Sequence, residues 1–245
     1  MKIDVNFDFT LDSPHYWDSY WEKDELFGHS SVDPDSKSKT LQLFHKILWS
    51  KPLPNSEIME LYFGKGSDYL VWKNFRFGSD SICASFRWKN NIESIQKIAL
   101  DIPNFKKYIE DYVHKSYTIG GEIIFPKMKG GINQSRGCNP FIRDRWDLTL
   151  ECIRMYYNGE DNPLSKTLIE NKNFFDLFVD FKGYVDFFYL QDCVSNDYSK
   201  VNLWLDTKLF ESNPIPKTTE AYEIWMDNQL SFVEKRNKRI QNAIV

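Results

Sequence analysis

The stretch from Tyr117 to Leu164, YTIGGEIIFPKMKGGINQSRGCNPFIRDRWDLTLECIRMYYNGEDNPL, decides how the rest of the chain is read. It opens with an apolar run, Ile119 to Phe125, that reads as a short strand stopped by Pro126. A long loop follows from Lys127 to Arg143, and its charged residues, Lys127, Lys129, Arg136 and Arg143, are all basic. Gly130, Gly131 and Gly137 let that loop adopt positive φ or bring its backbone close to a ligand. Asp144 to Asn158 then reads as a helix with Asp144 at the N-cap. On a helical wheel Arg143, Asp144, Asp147, Glu151 and Arg154 share about a quarter-turn, and mostly apolar side chains cover the rest. A helix that apolar packs on more than one side. The fold class this implies is α+β: a single domain, residues 1–245, with a small, mostly antiparallel sheet packed against several helices and a helical C-terminal half.

Two polar residues, Arg145 and Thr149, fall inside the apolar arc. A buried guanidinium without a partner costs several kcal/mol. Arg145 therefore pairs with an internal acid such as Asp176 or Asp180, emerges at the first turn, or meets an anionic ligand. A basic, glycine-containing loop entering a helix has the elements of an anion site, with Lys127, Arg136, Arg143 and Arg145 as the ligand-binding residues. The competing reading is a solvated surface loop, and Asp144 would compete with any anion there. Neither GxxxxGK[ST] nor GxGxxG is present, so no nucleotide motif is assigned.

Candidate acid–base groups for a ligand held here are Glu151 and His45. His45, among Phe44, Ile47 and Leu48, equally suits a satisfied half-buried histidine. Asp147 and Glu151, four apart, converge as metal ligands would, but Arg143 and Arg154 beside them favour an ion-pair ladder, and no metal is assigned. The acid–ExK arrangement of metal nucleases is incomplete, because Lys127 lies five residues after Glu122. With no GxSxG and no Ser or Cys beside an evident base, covalent catalysis is not expected.

Working outward, residues 1–35 form an irregular, aromatic-rich wrap anchored by Phe7, Phe9, Tyr16, Trp17, Tyr20 and Trp21. DPDSKSK (33–39) is a turn, and TLQLFHKILWS (40–50) a helix with Leu41, Phe44, Ile47 and Leu48 on one face, ended by Pro52 and Pro54. EIMELYF, YLVWKNF and SICASFRW read as a meander turning at GKGSD and FGSD, which makes 55–125 sheet-rich. Asn91 to Ser116 is a helix broken near Pro103. Helices Pro163–Asn171, Phe174–Val194 and Thr219–Ala243, with a strand VNLWL at 201–205, make 144–245 mainly helical. His114 ends a helix, while His15 and His29 lack ligand spacing. Lys235, Arg236, Lys238 and Arg239 read as a solvated helix end.

Composition narrows the function classes. A net charge of -4 excludes a wholesale polyanion binder and leaves nucleic-acid contact to a local basic patch. Aromatics at 16% supply a sizeable core. The scattered cysteines, Cys83, Cys138, Cys152 and Cys193, suit reduced thiols rather than a disulfide frame or zinc site. The N-terminus lacks a signal-peptide pattern, and Asp176, Asp180, Lys182, Asp186 and Asp192 interrupt the most apolar run, so no membrane span is expected. A cytoplasmic location follows.

The segments DPDSKSKTLQLFHKILWS, FRFGSDSI, YTIGGEIIFP, INQSRGCNPFIRDRWDLTLECIRMYYNGEDNPL and FFDLFVDFKGYVDFFYLQD resemble a family of uncharacterised bacterial proteins classed only as a domain of unknown function. The resemblance runs from about residue 7 over nearly the whole chain. It implies a bacterial or prophage origin and a single domain, and brings no activity, cofactor or catalytic residue. The functional expectation is binding of, and action on, a phosphate-bearing ligand such as a nucleotide or nucleic-acid end. The alternative is a non-catalytic binding or regulatory module of a toxin–antitoxin or phage-defence system, with a protein partner. The two separate on Arg145: the first leaves it free of protein carboxylates above a concave pocket, the second satisfies it internally.

Overall fold

Four strands form one antiparallel sheet in chain order: β1 (Tyr62–Phe63), β2 (Leu70–Trp72), β3 (Phe75–Ser81) and β4 (Glu122–Pro126). This computed structural model describes residues 2–21, 30, 32–65, 69–86 and 92–244, with 92 and 93 described by their backbone alone. His29 and part of the GKGSD turn lie outside those residues. β3 is longer than its sequence suggests, because FGSD continues the strand instead of turning. Its partner is β4, forty residues downstream on the chain, with Ser79 opposite Ile124 and Asp80 opposite Ile123. The turn falls earlier, at Lys73 (φ 50°) and Asn74, between the paired Trp72 and Phe75.

Ile82 to Phe86 do not continue the expected strand beyond Ser81, since the backbone there bonds to a helix side chain instead, and Arg87 and Trp88 lie outside the described residues. Ala84 N–H donates to Gln229 Oε1 at 2.6 Å, and Trp225 Nε1 donates to Ala84 O at 2.7 Å. Both partners stand on the longest helix, α10 (Thr219–Ala243), capped by Thr218 accepting from Ala221 N–H at 3.1 Å. These bonds from Ala84 tie the segment to one face of α10.

Two short helices precede the sheet. α1 (Pro34–Lys37) starts at Asp33, which accepts from Asp35 N–H at 3.1 Å, and has Pro34 in its first turn, where a missing N–H costs nothing. α2 (Lys39–Trp49) has Ser38 as its cap and Asp12 accepting from Thr40 N–H at 2.9 Å. It buries Leu41, Phe44, His45, Leu48 and Trp49, while Ile47, expected inside, is 36% exposed. The N-terminal aromatics pack as a wrap: Phe7 and Phe9 meet Phe44, Trp17 lies 4.5 Å from the His114 ring, and Trp21 Nε1 donates to Glu110 at 2.8 Å.

Between β3 and β4 run α3 (Ile92–Ala99) and α4 (Phe105–Ser116), separated at Pro103 as expected. A single 3-10 turn, Ile119–Gly121, occupies the start of the expected strand because α10 crosses it closely. A Cβ on Gly120 would lie 2.4 Å from Val233 O, so the glycine here admits a helix rather than a ligand. The expected 127–143 loop contains α5 (Ile132–Cys138). α6 (Trp146–Tyr157) begins later than expected, since Arg143 (φ 50°) and Asp144 (φ 64°) are left-handed and Arg145 is the N-cap residue.

α7 (Ser165–Glu170) follows, and the expected single helix 174–194 is broken. It divides into α8 (Lys172–Phe175) and α9 (Phe181–Phe187), because Val179 takes φ 69° and Asp180 caps α9 through Gly183 N–H at 2.7 Å. VNLWL contributes only the Val201–Val194 bridge. One continuous apolar core, reaching from Ile3 to Ile240, ties these elements together. Among the described residues no helix is long and apolar enough to cross a membrane.

Candidate functional site

The basic residues expected to gather around an anion do not gather. Arg145 is fully buried and all five of its N–H donors have protein acceptors. Nε and one Nη2 donor reach the Asp147 carboxylate at 3.0 and 2.5 Å, and Nη1 reaches Thr207 Oγ1 at 2.8 Å and Pro214 O at 3.0 Å. Leu205 O takes the last at 3.4 Å. Asp147, placed on the polar face by the wheel, is instead 0% exposed, because it is the counter-ion. Neither Asp176 nor Asp180 is involved.

Arg136 is likewise internal. Its Nη1 lies 2.9 Å from both Asp80 Oδ2 and Asp144 Oδ1, and Nη2 donates to Asp144 O at 2.8 Å. Burial raises Asp80 to about 7 against the pull of Arg136, which two carboxyls share. Glu151 is bound by Arg154 at 2.8 and 2.9 Å, so it is neither an acid–base group facing a cavity nor half of a metal pair with Asp147. Arg143 stands apart in the left-handed turn before α6. For Arg145 and Arg136 the correction is the same: beside a nearby aspartate, each has further acceptors on distant segments, Thr207, Leu205 and Pro214 for the first and Asp80 and Ser81 for the second.

Lys127, one of the expected binding residues, borders a cavity. It is about 270 Å³ in volume and opens between α1, β3 and the β4–α5 connection, with Asp33, Asp35, Ser36, Ser79, Lys127, Asn133 and Gln134 as its polar lining. The acids come from the α1 turn that the sequence marked only as DPDSKSK. Ser79 comes from the mid-strand FGSD segment. Lys127 stands just past β4, its N–H tied to Arg76 O at 2.6 Å.

Behind the lining lies Glu122, 0% exposed. Asp35, on the cavity wall, is its neighbour, and the Glu122 charge disfavours ionisation of Asp35. Burial, the larger cause, and the neighbouring acids raise both groups well above the usual carboxylate range. Asp35 Oδ1 and Glu122 Oε1 have no donor among the described residues. No buried carboxyl on the Arg145 side is left in this condition.

The other Glu122 oxygen belongs to a relay. Ser79 Oγ donates to Glu122 Oε2 at 3.1 Å, His45 Nε2 lies 2.9 Å from Ser79 Oγ, and Trp49 Nε1 donates to His45 Nδ1 at 2.9 Å. An indole N–H can only donate, so Nδ1 accepts and the proton of the neutral ring sits on Nε2. Burial, helped by Arg236, pushes His45 down to about 3 and keeps it neutral. His45 thus orients Ser79 and Glu122 from behind the cavity. Arg236, expected in a solvated helix end, is 0% exposed and donates to Phe188 O, Gly120 O and Glu122 O at 2.8–3.0 Å. Among the described residues its Nη2 has no acceptor and it bonds no carboxylate.

Asp80 and Glu122 sit on adjacent strands, yet they do not form a metal-nuclease pair. Asp80 faces Ile123 in the register and Glu122 faces Ser81, so the two acids leave opposite faces of the sheet. Among the described residues no group of three or more His, Cys, Asp or Glu is arranged to hold a metal ion. The sequence signals that pointed to this site were weak: Glu122 in an apolar strand and His45 on an apolar helix face, each a polar residue where the pattern calls for an apolar one.

No curated protein and no solved structure matches the chain. The match that exists runs from residue 3 to residue 240 and agrees with the unbroken core: the chain belongs to a family of unknown function, DUF6994.

Proposed function

We propose that the cavity between α1, β3 and the β4–α5 connection binds a small, hydroxyl-rich ligand bearing a phosphate, such as a nucleotide or sugar phosphate, and that Asp35 and Glu122 move a proton on it. The observation that carries this reading is the buried Glu122 carboxyl next to that of Asp35, both raised well above the usual carboxylate range and each with one oxygen that has no donor among the described residues. A protonated acid beside an ionised one is the arrangement general acid–base catalysis uses. The lining is acidic, so hydroxyls and amides of the ligand suit the floor, and Lys127 is the cation placed for a phosphate at the rim. An intracellular, bacterial setting belongs to the same proposal, and four free cysteines support it.

The alternative, a non-catalytic binding module, draws support from Arg145, whose donors are all satisfied within the chain. The two readings part in one experiment. Nucleosides, nucleotides and sugar phosphates are screened by thermal shift against wild type, Lys127→Met and Glu122→Gln. A ligand at one hundred times its Kd adds roughly 2.7 kcal/mol. The expected result is a shift with wild type, a weaker one with Lys127→Met, and turnover of the hit that Glu122→Gln abolishes. No shift from any member of the panel would move the assignment to a protein partner.

A further inference from the structure

Several glycines of this protein are explained by the fold itself. Gly130 and Gly159 take φ 68° and 73°, in the left-handed region. At Gly120, Gly121 and Gly183 an added Cβ would run into a backbone oxygen, that of Val233, Ser116 and Phe178 in turn. Gly78 has neither reason. It stands inside β3 opposite Phe125, with the register unbroken on both sides, so it marks no bulge, and its φ is not left-handed. The atoms nearest to a Cβ built on it belong to the Lys127 stem, Cδ at 3.6 Å, Cβ at 3.9 Å and Cγ at 4.0 Å, which is ordinary contact. A strand loses by carrying glycine in its interior, because the freest backbone is fixed and no side chain packs. Gly78 does border the cavity described above. Close approach of a ligand is the other circumstance that calls for a glycine within a strand.

The lining around Gly78 fits a flat ring. Phe125, Pro126 and Met128 make this wall apolar, and a peptide plane without a side chain gives a ring a level surface. Residues of α5 supply the polar edge. Asn133 Nδ2 donates to Ser79 O at 3.4 Å, and Gln134 Oε1 accepts from Gly130 N–H at 3.1 Å. Among the described residues nothing else claims these side chains, which leaves Asn133 Oδ1 as an acceptor and Gln134 Nε2 as a donor. An amide acceptor and an amide donor are the groups that read the edge of a nucleobase.

We propose that the ligand of this cavity carries a nucleobase, which lies on the bare backbone of Gly78. The proposal rests on the reading of the cavity as a phosphate-ligand site and names the substrate class, a nucleoside phosphate instead of a sugar phosphate.

The test compares AMP, GMP, CMP, UMP and ribose 5-phosphate by isothermal titration on wild type, Gly78→Ala and Gly78→Val. At least one nucleotide should bind wild type tenfold or more tightly than ribose 5-phosphate. Gly78→Val should weaken that nucleotide at least tenfold and ribose 5-phosphate less than threefold. Gly78→Ala, whose methyl fits the 3.6 Å gap, should melt no lower than wild type and weaken the nucleotide at least threefold. Ribose 5-phosphate bound as tightly as every nucleotide removes the base and leaves the phosphate site standing. No binding by any of the five at millimolar concentration overturns both readings. A nucleotide bound equally by wild type and both variants, or a Gly78→Ala that melts several degrees lower, overturns the role of the glycine.

Discussion

Two buried regions carry the internal charge of this protein, and they are completed differently. Around Arg145 every donor meets an acceptor, its counter-ion Asp147 also accepts from Trp204 N–H at 2.8 Å, and the stacked Trp225 ring lies 5.3 Å away. Around Glu122, two acids face each other, and the nearby guanidinium of Arg236 bonds carbonyls instead of either carboxyl. A fully satisfied network rigidifies a fold, whereas a partly satisfied one destabilises it. The first region therefore reads as architecture. The second reads as a site, because proteins keep carboxyls in such surroundings mainly where a displaced pKa is used.

The sharpest way to break this comparison is to open the closed region. Arg145→Met strands Asp147 in the core and should cost about 3–5 kcal/mol. Urea unfolding checks it, and a loss below about 1 kcal/mol would show that the network is dispensable. His45→Phe comes next. It keeps the aromatic volume but leaves Trp49 Nε1–H without its acceptor and Ser79 Oγ without the His45 Nε2 donor, at a cost of about 2 kcal/mol. An unchanged midpoint would mean that water replaces the ring and that the relay is not a structural unit.

The pH dependence sharpens the contrast with a smaller effect. Glu122 and Asp35 hold their protons more tightly in the folded chain than in the unfolded one, so their contribution is present at low pH and is lost as pH rises above the ordinary carboxyl range. Asp80, raised to about 7, acts in the same direction. His45, lowered from 6.5 to about 3, acts oppositely: its contribution is complete above 6.5 and is lost as pH falls toward 3. Glu122→Gln removes one acid from the first group and should gain stability relative to wild type as pH rises from 5 to 8. One proton accounts for at most ~1.4 kcal/mol per pH unit. Urea midpoints across that range test this, and parallel curves for the two proteins would show that Glu122 does not titrate there. The smallest expected effect is Lys127→Met, within about 0.5 kcal/mol on stability because the side chain is exposed at the rim. Its effect should appear only in ligand binding, and a large loss of stability would make Lys127 part of the scaffold.

The legible parts of the fold were local. α2, α10 and the break at Pro103 followed from apolar spacing, caps and proline, all contained within a few turns of the chain. Two errors arose where the partner of a segment is remote. FGSD carries turn residues, yet it pairs with β4, and SICASF alternates like a strand, yet bonds Gln229 and Trp225 on α10. The break at Val179 lies between residues whose periodicity continues undisturbed, so no apolar pattern marks it. For the site, the sequence drew attention to basic residues and glycines. The cavity does include Lys127 and Gly131 but sets Asp33 and Asp35 beside them, and the close approach at Gly120 is to α10.

By itself the sequence determined the fold class, the lack of a long apolar span, and the presence of polar residues inside apolar patterns at His45, Glu122 and Arg145. Those depend on composition and on period, which need no knowledge of what lies opposite. Only the tertiary structure decided which of these polar residues is satisfied. Arg145 meets Asp147 two residues away but also Thr207, Leu205 and Pro214, while Glu122 meets Asp35 and Ser79 from segments 87 and 43 residues earlier. The energy of a buried charge is set by the few atoms within hydrogen-bond reach of it. Folding brings those atoms together from separate parts of the chain, so their identity is not written in either neighbourhood alone.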